Sequence, residues 1–538
     1  MNTDAPVALL LVKSSRGEVD WILPVLHRLR ARGWRVVAVC ESQRAYEALR
    51  AERVLFESLT SVALVGVYPE DVQPIFAELI APQRVRLILK DFSADSDVRS
   101  ELARDFPTAL VASFPNTTHL FGNSSTDPIL DTPREGVRSR QDLLLLGSDH
   151  DWPFWSRKAD LEQLRTVGFP RYDRWWTDRL AAAEALAGTP EHELASAARR
   201  VFVLAMRGPD ADTIRPDDNE FLRAADYQAL VEMVLEETLG RLGATLLIKP
   251  QPGQDLGFLE RALERRGDAR WRISDLHLMQ LCSLADATIS MCAPEALDSL
   301  AVGTPLVECF RFSADYPYWR RNYLGQPTSI YRELGLAAGA ETREQLASRL
   351  DAARDAGARC WASQRQAFEL HCRRDPEAAE RAVDVLLAEL ARAGSLAPVP
   401  SGEPHGSYVH TRMADAEALA ERGAGAEARA ELCDLATEGG ASARALNNLG
   451  VLAWRDGRAN VATALLRMSV RNDPRPLDAA LNLLAVYLET RQDASAAALL
   501  RERARSADAR TRGAFEEALR QQLSPQQLRA AHELLASD

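Results

Sequence analysis

A chain of 538 residues, 46% hydrophobic and 26% charged, is long enough for two to four globular domains. Its formal net charge of −12 excludes a general nucleic-acid binder, which would carry a basic face, yet leaves room for a small cationic pocket around a phosphorylated ligand. Seven cysteines, an odd number without a CxxC pair, point to reduced thiols and a cytoplasmic setting.

The N-terminus lacks a basic stretch, and its apolar run is too short for a signal peptide. No stretch approaches the ~20 apolar residues of a membrane span, so any membrane contact is expected to be peripheral. VALLLV (7–12) reads as a strand buried on both faces, KSSRGEVD as a loop, WILPVLHRLRARG (21–33) as a helix closed by Gly33, and WRVVAVC (34–40) as the next buried strand. This βαβ opening predicts a parallel sheet. SVALVGV (61–67), VRLILK (85–90), TALVAS (108–113) and DLLLLG (142–147) continue it up to VGFPRYDRWW (167–176). A second α/β series follows: VFVLAM (201–206), a helix over 227–243, TLLIKP (245–250), LADATI (284–289), SMCAPEALDSLAVG (290–303) as loop, helix and glycine cap, and TPLVECF (304–310). A long helix around 363–391 is expected to return and brace the first domain.

The Pro/Gly/Ser-rich segment 392–408 reads as a linker, and beyond it strands vanish. Residues 445–474 resemble a tetratricopeptide repeat, with Leu449-Gly450, Ala462, Leu466 and Pro474 at the motif's spacing. Residues 480–504 repeat the pattern, and 414–436 form a degenerate earlier copy. Leu446 and Ala453 occupy the motif's usual Trp and Tyr positions, so a plain helical tail is the alternative. The expected division is 1–175, 176–391, linker 392–408, and 409–538. The fold class is α/β, two Rossmann-like doubly wound domains facing across a cleft, followed by an all-α repeat domain with a concave surface for a protein or peptide partner.

Ligands of open α/β sheets bind outside the carboxyl ends of the strands. There Glu18 is either a general base or a first-turn acid stabilised by the helix dipole. There is no GxGxxG, so NAD binding is not expected. Lys249 of KPQP, fixed by Pro250 and Pro252, suits a phosphate or is a solvated loop lysine. Arg207 would reach the same phosphates, with Gly208 permitting close backbone approach. Ser290 ends a strand, Cys292 lies in a small-residue loop, and Pro294 reads as the first residue of the next helix, whose free N–H groups would face an anion. Glu295, one step inside, would accept from a ribose; a phosphate-free turn is the alternative. Arg171 would pair with Asp173 or face a phosphate, with the structural pair favoured, and Trp175 and Trp176 would pack the domain seam. Asp91 and His119 are further candidate bases, although a lone His is more often structural. DSD (95–97) and DHD (149–151) match a short acidic metal pattern that arises often by chance; no metal and no cofactor are expected, and no cluster has zinc spacing.

The double α/β layout and SMCAPEALDSLAVGTPLV resemble GT-B glycosyltransferases. VGFPRYDRWW followed by KPQP is similar, more narrowly, to the bacterial surface-polysaccharide branch, including CDP-glycerol glycerophosphotransferase-like and Kdo-transferase-like enzymes, with their G-x-P-R-x-D and later K-P-x-P or K-x-H-P elements. The resemblance covers about residues 7–390, with Gln251 where the branch often has His. It implies a metal-independent transfer of a sugar or polyol phosphate from a nucleotide-activated donor on the second domain to a glycan or protein acceptor on the first. The alternatives are a nucleotide-sugar epimerase of the same fold and a non-catalytic scaffold kept for its repeats.

Overall fold

The computed structural model describes residues 5–13, 16–91, 104–115, 141–156, 159–206, 224–251, 254–291, 294–311, 320–353, 359–373, 377–394, 406–506 and 509–536. The first sheet holds β1 (Val7–Val12), β2 (Arg35–Cys40), β3 (Leu64–Val67), β4 (Val85–Asp91), β5 (Leu110–Phe114), β6 (Leu143–Leu146) and β7 (Leu164–Thr166). Its order is β3-β2-β1-β4-β5-β6-β7, and every pairing is parallel. The second holds β8 (Val201–Ala205), β9 (Thr245–Lys249), β10 (Trp271–Ile273), β11 (Ala287–Ser290), β12 (Leu306–Cys309) and β13 (Ala338–Ala340), in the order β10-β9-β8-β11-β12-β13, again all parallel. Each sheet thus grows outward from its first strand in both directions, the doubly wound pattern.

The unbroken apolar run of β1 follows from burial on both faces. Ala8, Leu10 and Val12 enter one core with helices Arg16–Ala31 and Ala378–Arg392, while Val7, Leu9 and Leu11 enter another with Ile75 and Leu79. Three short strands escape the sequence pattern. LRT, WRI and AGA (β7, β10 and β13) have no apolar run and are strands because their neighbours offer them a ladder. The first helix begins at Arg16 rather than 21 and carries Pro24 inside it. The long helix expected over 363–391 is two, Arg359–His371 and Ala378–Arg392. The sequence has Pro376 between them, a residue that cannot donate to the helical ladder. Helix Ala378–Arg392 lies on the first domain, burying Ala382, Val383, Leu386 and Leu390 in its core. Along its rim Arg28 meets Glu377 at 2.5 Å and Arg165 meets Glu389 at 2.8 Å.

The C-terminal region is helical, running in successive pairs from Gly406–Glu421 with Gly425–Ala436 through Ser442–Arg455 with Ala459–Asn472 to Pro525–Ala536. Gly450 permits one close crossing, since a Cβ there would lie 2.6 Å from Leu466 Cγ. These helices join the second core of the first sheet, where Leu432, Leu435, Leu446, Leu449 and Leu465 share a cluster with Leu9 and Ile75. The Asn472 carboxamide closes the edge of β3, accepting from Val65 N–H at 2.9 Å and donating to Val65 carbonyl at 2.8 Å. Asp434 meets buried Arg35 at 2.6 Å, and buried Asp71 pairs with Arg467 and Arg471. Gly439, at φ 68, lies so close to the Ser61 carbonyl that a Cβ would approach it to 2.6 Å. No described helix is long and apolar enough to cross a membrane.

Candidate functional site at the carboxyl ends of the sheets

Parallel strands deliver the loops after them to one edge, and loops from both sheets converge here. Helix Arg16–Ala31 follows β1 and carries Asp20 near its start. The turn Pro170–Tyr172 follows β7 and carries Arg171. Helix Leu278–Ser283 follows β10 and is capped by His277, and Asp298 opens helix Asp298–Ala301 after β11. Arg171 Nη2 lies 2.8 Å from Asp20 Oδ2 and 2.6 Å from Asp298 Oδ2. His277 Nε2 lies 2.9 Å from the same Asp20 oxygen, and Trp176 Nε1 donates to Asp20 Oδ1 at 3.4 Å. The guanidinium also sits 5.3 Å from the centre of the Trp21 ring. Arg171, Asp20 and Asp298 are at most 3% exposed, so the group fixes the loops around it and is sealed from any ligand.

Burial by itself would raise the Asp20 carboxyl, but Arg171 and His277 outweigh it and hold it at about 2. Burial disfavours charge on His277, whereas Asp20 raises its pKa overall. The ring Nδ1 accepts the Met279 N–H at 3.2 Å, which puts a proton on Nε2 facing Asp20.

The stretch VGFPRYDRWW ties this group to the returning helix. Gly168 adopts φ 94, and a Cβ there would meet Arg381 Nη2 at 2.4 Å and Ala378 Cβ at 2.9 Å. Pro170 opens the turn. The expected Arg171–Asp173 pair is replaced by the contacts to Asp20 and Asp298. Asp173 instead caps helix Ala378–Arg392, accepting from Ala378 and Ala379 N–H at 2.7 and 2.8 Å. Burial outweighs those two amides and lifts its carboxyl to about 6. Trp176 is fully buried against Trp175 and His27. Burial, with Arg179 and Arg28 nearby, pushes His27 down to about 4. Arg373 binds the Tyr172 and Ala301 carbonyls at 2.8 and 2.7 Å.

The structure treats the other sequence candidates unevenly. Lys249 closes β9 and donates to the Asp275 carbonyl at 3.0 Å, 3.8 Å from Glu52 Oε1 of the first domain; it is not a solvated loop lysine. Ser290 closes β11 and is buried, as are Met291 and Ala296. The helix expected from Pro294 is present but begins as a 3-10 turn, Pro294–Leu297, that runs into an α-helix of only 4 residues, Asp298–Ala301. The side chains of Pro294, Glu295 and Glu18 are outside the description, which gives only their backbone. Cys292, Arg207, Gly208 and His119 lie outside the described residues, as do Asp95 and Asp97. Asp91 ends β4 and is buried. In DHD, Asp151 accepts the Ser148 N–H at 3.0 Å as part of a capping box. Among the described residues no group of three or more His, Cys, Asp or Glu side chains is arranged for a metal. Asp20, His277 and Asp298 were not singled out by sequence. Their common signal is a polar residue shortly after a strand, which many solvent-facing residues share.

No family model matches the sequence, and no curated protein matches it. Solved structures similar in overall fold include UDP-GlcNAc 2-epimerase from Methanocaldococcus jannaschii, 11% identical over 71% of this chain and 99% of that one, with a TM-score of 0.42. Arabidopsis thaliana UGT89C1 complexed with UDP-L-rhamnose is 14% identical over 72% and 99%, TM-score 0.41. A glycosyltransferase from Rickettsia africae is 10% identical over 72% and 98%, TM-score 0.40. At such values the neighbours say nothing of this chain's site.

Proposed function

We propose that the protein is a metal-independent GT-B-type glycosyltransferase of the cytoplasm, using a nucleotide-activated sugar or polyol phosphate. The observation that carries this reading is the apposition of two doubly wound parallel sheets at their carboxyl ends, the edge where such sheets bind nucleotides. The second domain holds the donor, with Lys249, Arg207 and the chain from Ser290 and Cys292 to Pro294 facing its phosphates, Gly208 admitting them, and Glu295 accepting from the ribose. Cations fixed there stabilise the charge that grows on the leaving diphosphate. The first domain holds the acceptor, a surface glycan or a glycosylated protein, and Glu18, Asp91 or His119 takes the proton of its hydroxyl. The C-terminal hairpins, read as tetratricopeptide-like, bind a protein or peptide partner.

The test is a thermal-shift panel of UDP-, GDP-, CDP- and CMP-sugars, followed by donor turnover with and without acceptor and with EDTA. Stabilisation by one nucleotide class and acceptor-dependent turnover that survives EDTA are expected. Donor conversion without acceptor would make the protein an epimerase, and no nucleotide response would make it a scaffold. Lys249→Ala is expected to leave the melting temperature within a degree or two and to weaken nucleotide binding at least tenfold; unchanged affinity would remove Lys249 from the site.

A further inference from the structure

Apolar contact is non-directional and tolerates sliding. The core at the domain seam runs without a break from Trp21 and Leu26 through Tyr172 and Trp176 to Leu297, Leu300, Tyr331 and Phe368, so apolar packing alone would allow a range of angles between the sheets. Inside that core two polar contacts cross from one domain to the other, an ion pair of Arg171 with Asp298 at 2.6 Å and a hydrogen bond from His277 Nε2 to the Asp20 carboxylate at 2.9 Å. Arg171 also holds Asp20 at 2.8 Å, so both crossings share one carboxylate.

We infer that Arg171 is a positioning residue: by dividing its guanidinium between Asp20 and Asp298 it sets the angle at which the carboxyl ends of the two sheets face each other. A rotation that stretches the first contact pulls the buried Asp298 carboxylate from its cation, and one that stretches the second costs buried Asp20 a hydrogen bond; both are unfavourable inside an apolar core, so the seam rests where both contacts are made. The neighbours leave little room to compromise. His277 cannot follow a shifted Asp20 without giving up its cap on Met279, and its own N–H is held by Gln280 at 3.3 Å. Asp20 is further held by Trp176. Both contacts are made by Nη2 at the tip of the arginine, a point that a lysine ammonium on a shorter, differently shaped stem does not occupy. The angle in turn fixes the gap between the start of helix Arg16–Ala31, which bears Glu18, and the turn Pro294–Leu297.

The inference needs no assumption about what the cleft binds, and its test uses ligand-free, full-length protein. Spin labels carried on p-acetylphenylalanine at exposed positions 53 and 260, one in each domain, report the inter-domain distance by pulsed electron resonance. The unsubstituted protein is expected to give one narrow distribution. Arg171→Lys is expected to at least double its width or move its centre by several ångströms, with circular dichroism confirming the fold. A folded Arg171→Lys protein with the original distribution would overturn the inference, even if it melted earlier. Should that variant not fold, Asp298→Asn keeps the shape and an acceptor for Arg171 while removing the charge. Broadening in it supports the inference, and an unchanged distribution overturns it.

Discussion

The two sheets are wound alike but closed differently. The first is covered by chain that arrives much later in the sequence: Ala378–Arg392 lies over one face, the C-terminal helices join the core of the other, and Asn472 takes the free backbone groups of β3. At the second sheet's edge β10 leaves Arg272 exposed, with Trp271 and Ile273 only partly covered. An edge left that way must rely on its own short length and charge to avoid pairing with another strand. The contrast shows where cooperativity lies. The first sheet and the C-terminal helices form one folding body, and the second domain is joined to it at the seam around Arg171.

The largest expected effect breaks that body. Deleting 406–538 uncovers the apolar cluster around Leu9 and Ile75 and strips buried Arg35 and Asp71 of their partners, so the remaining chain should be insoluble or melt without cooperativity. A soluble truncated chain with the full-length melting curve in circular dichroism would make the helices a mere appendage. Next comes the seam. Arg171→Met leaves Asp20 and Asp298 buried beside each other without their cation, which should cost about 3–5 kcal/mol in denaturant unfolding. A loss under about 1 kcal/mol would mean that the carboxylates find other partners.

Smaller effects sharpen the comparison. Asn472→Ala orphans the Val65 N–H and carbonyl at the closed edge, for an expected loss of about 1–3 kcal/mol and faster hydrogen exchange of the Val65 amide. No change in that amide would show that water closes the edge equally well. The smallest is a pH effect. The Asp173 carboxyl sits at about 6 in the folded chain against an ordinary 3.8, so the folded state holds the extra proton between those values. Its contribution is full below the unfolded pKa and is lost as pH rises through about 6. The stability of the native protein relative to Asp173→Asn should therefore fall by about 1 kcal/mol from pH 5 to pH 7. A flat difference would place the Asp173 pKa in the ordinary carboxylate range.

Much of the fold was legible because it is buried twice over. VALLLV, WRVVAVC, VFVLAM and TLLIK are strands with core on both faces, so their runs are apolar apart from Arg35 at the start of one and Thr245 and Lys249 at the ends of another. The strands LRT, WRI and AGA were not legible, since their pairing is a property of the neighbouring strand and not of three residues. The break before Ala378–Arg392 could have been read from Pro376, but the helical periodicity on both sides masked it. At the site, the GFPRYD stretch stood out through its glycine, proline and charges, yet its partners did not. Asp20, His277 and Asp298 come from three distant segments and look in the sequence like ordinary polar residues beside helix starts.

The sequence by itself determined that this chain is two rounds of parallel α/β structure and a helical tail, because hydrophobic periodicity records which faces each segment must bury. Only the tertiary structure decided that the tail joins the core of the first sheet, and that Arg171 serves a carboxylate on each side of the seam rather than its near neighbour Asp173. Periodicity records that a face is buried and not against what, and a buried charge takes whichever counter-charge the fold brings within reach.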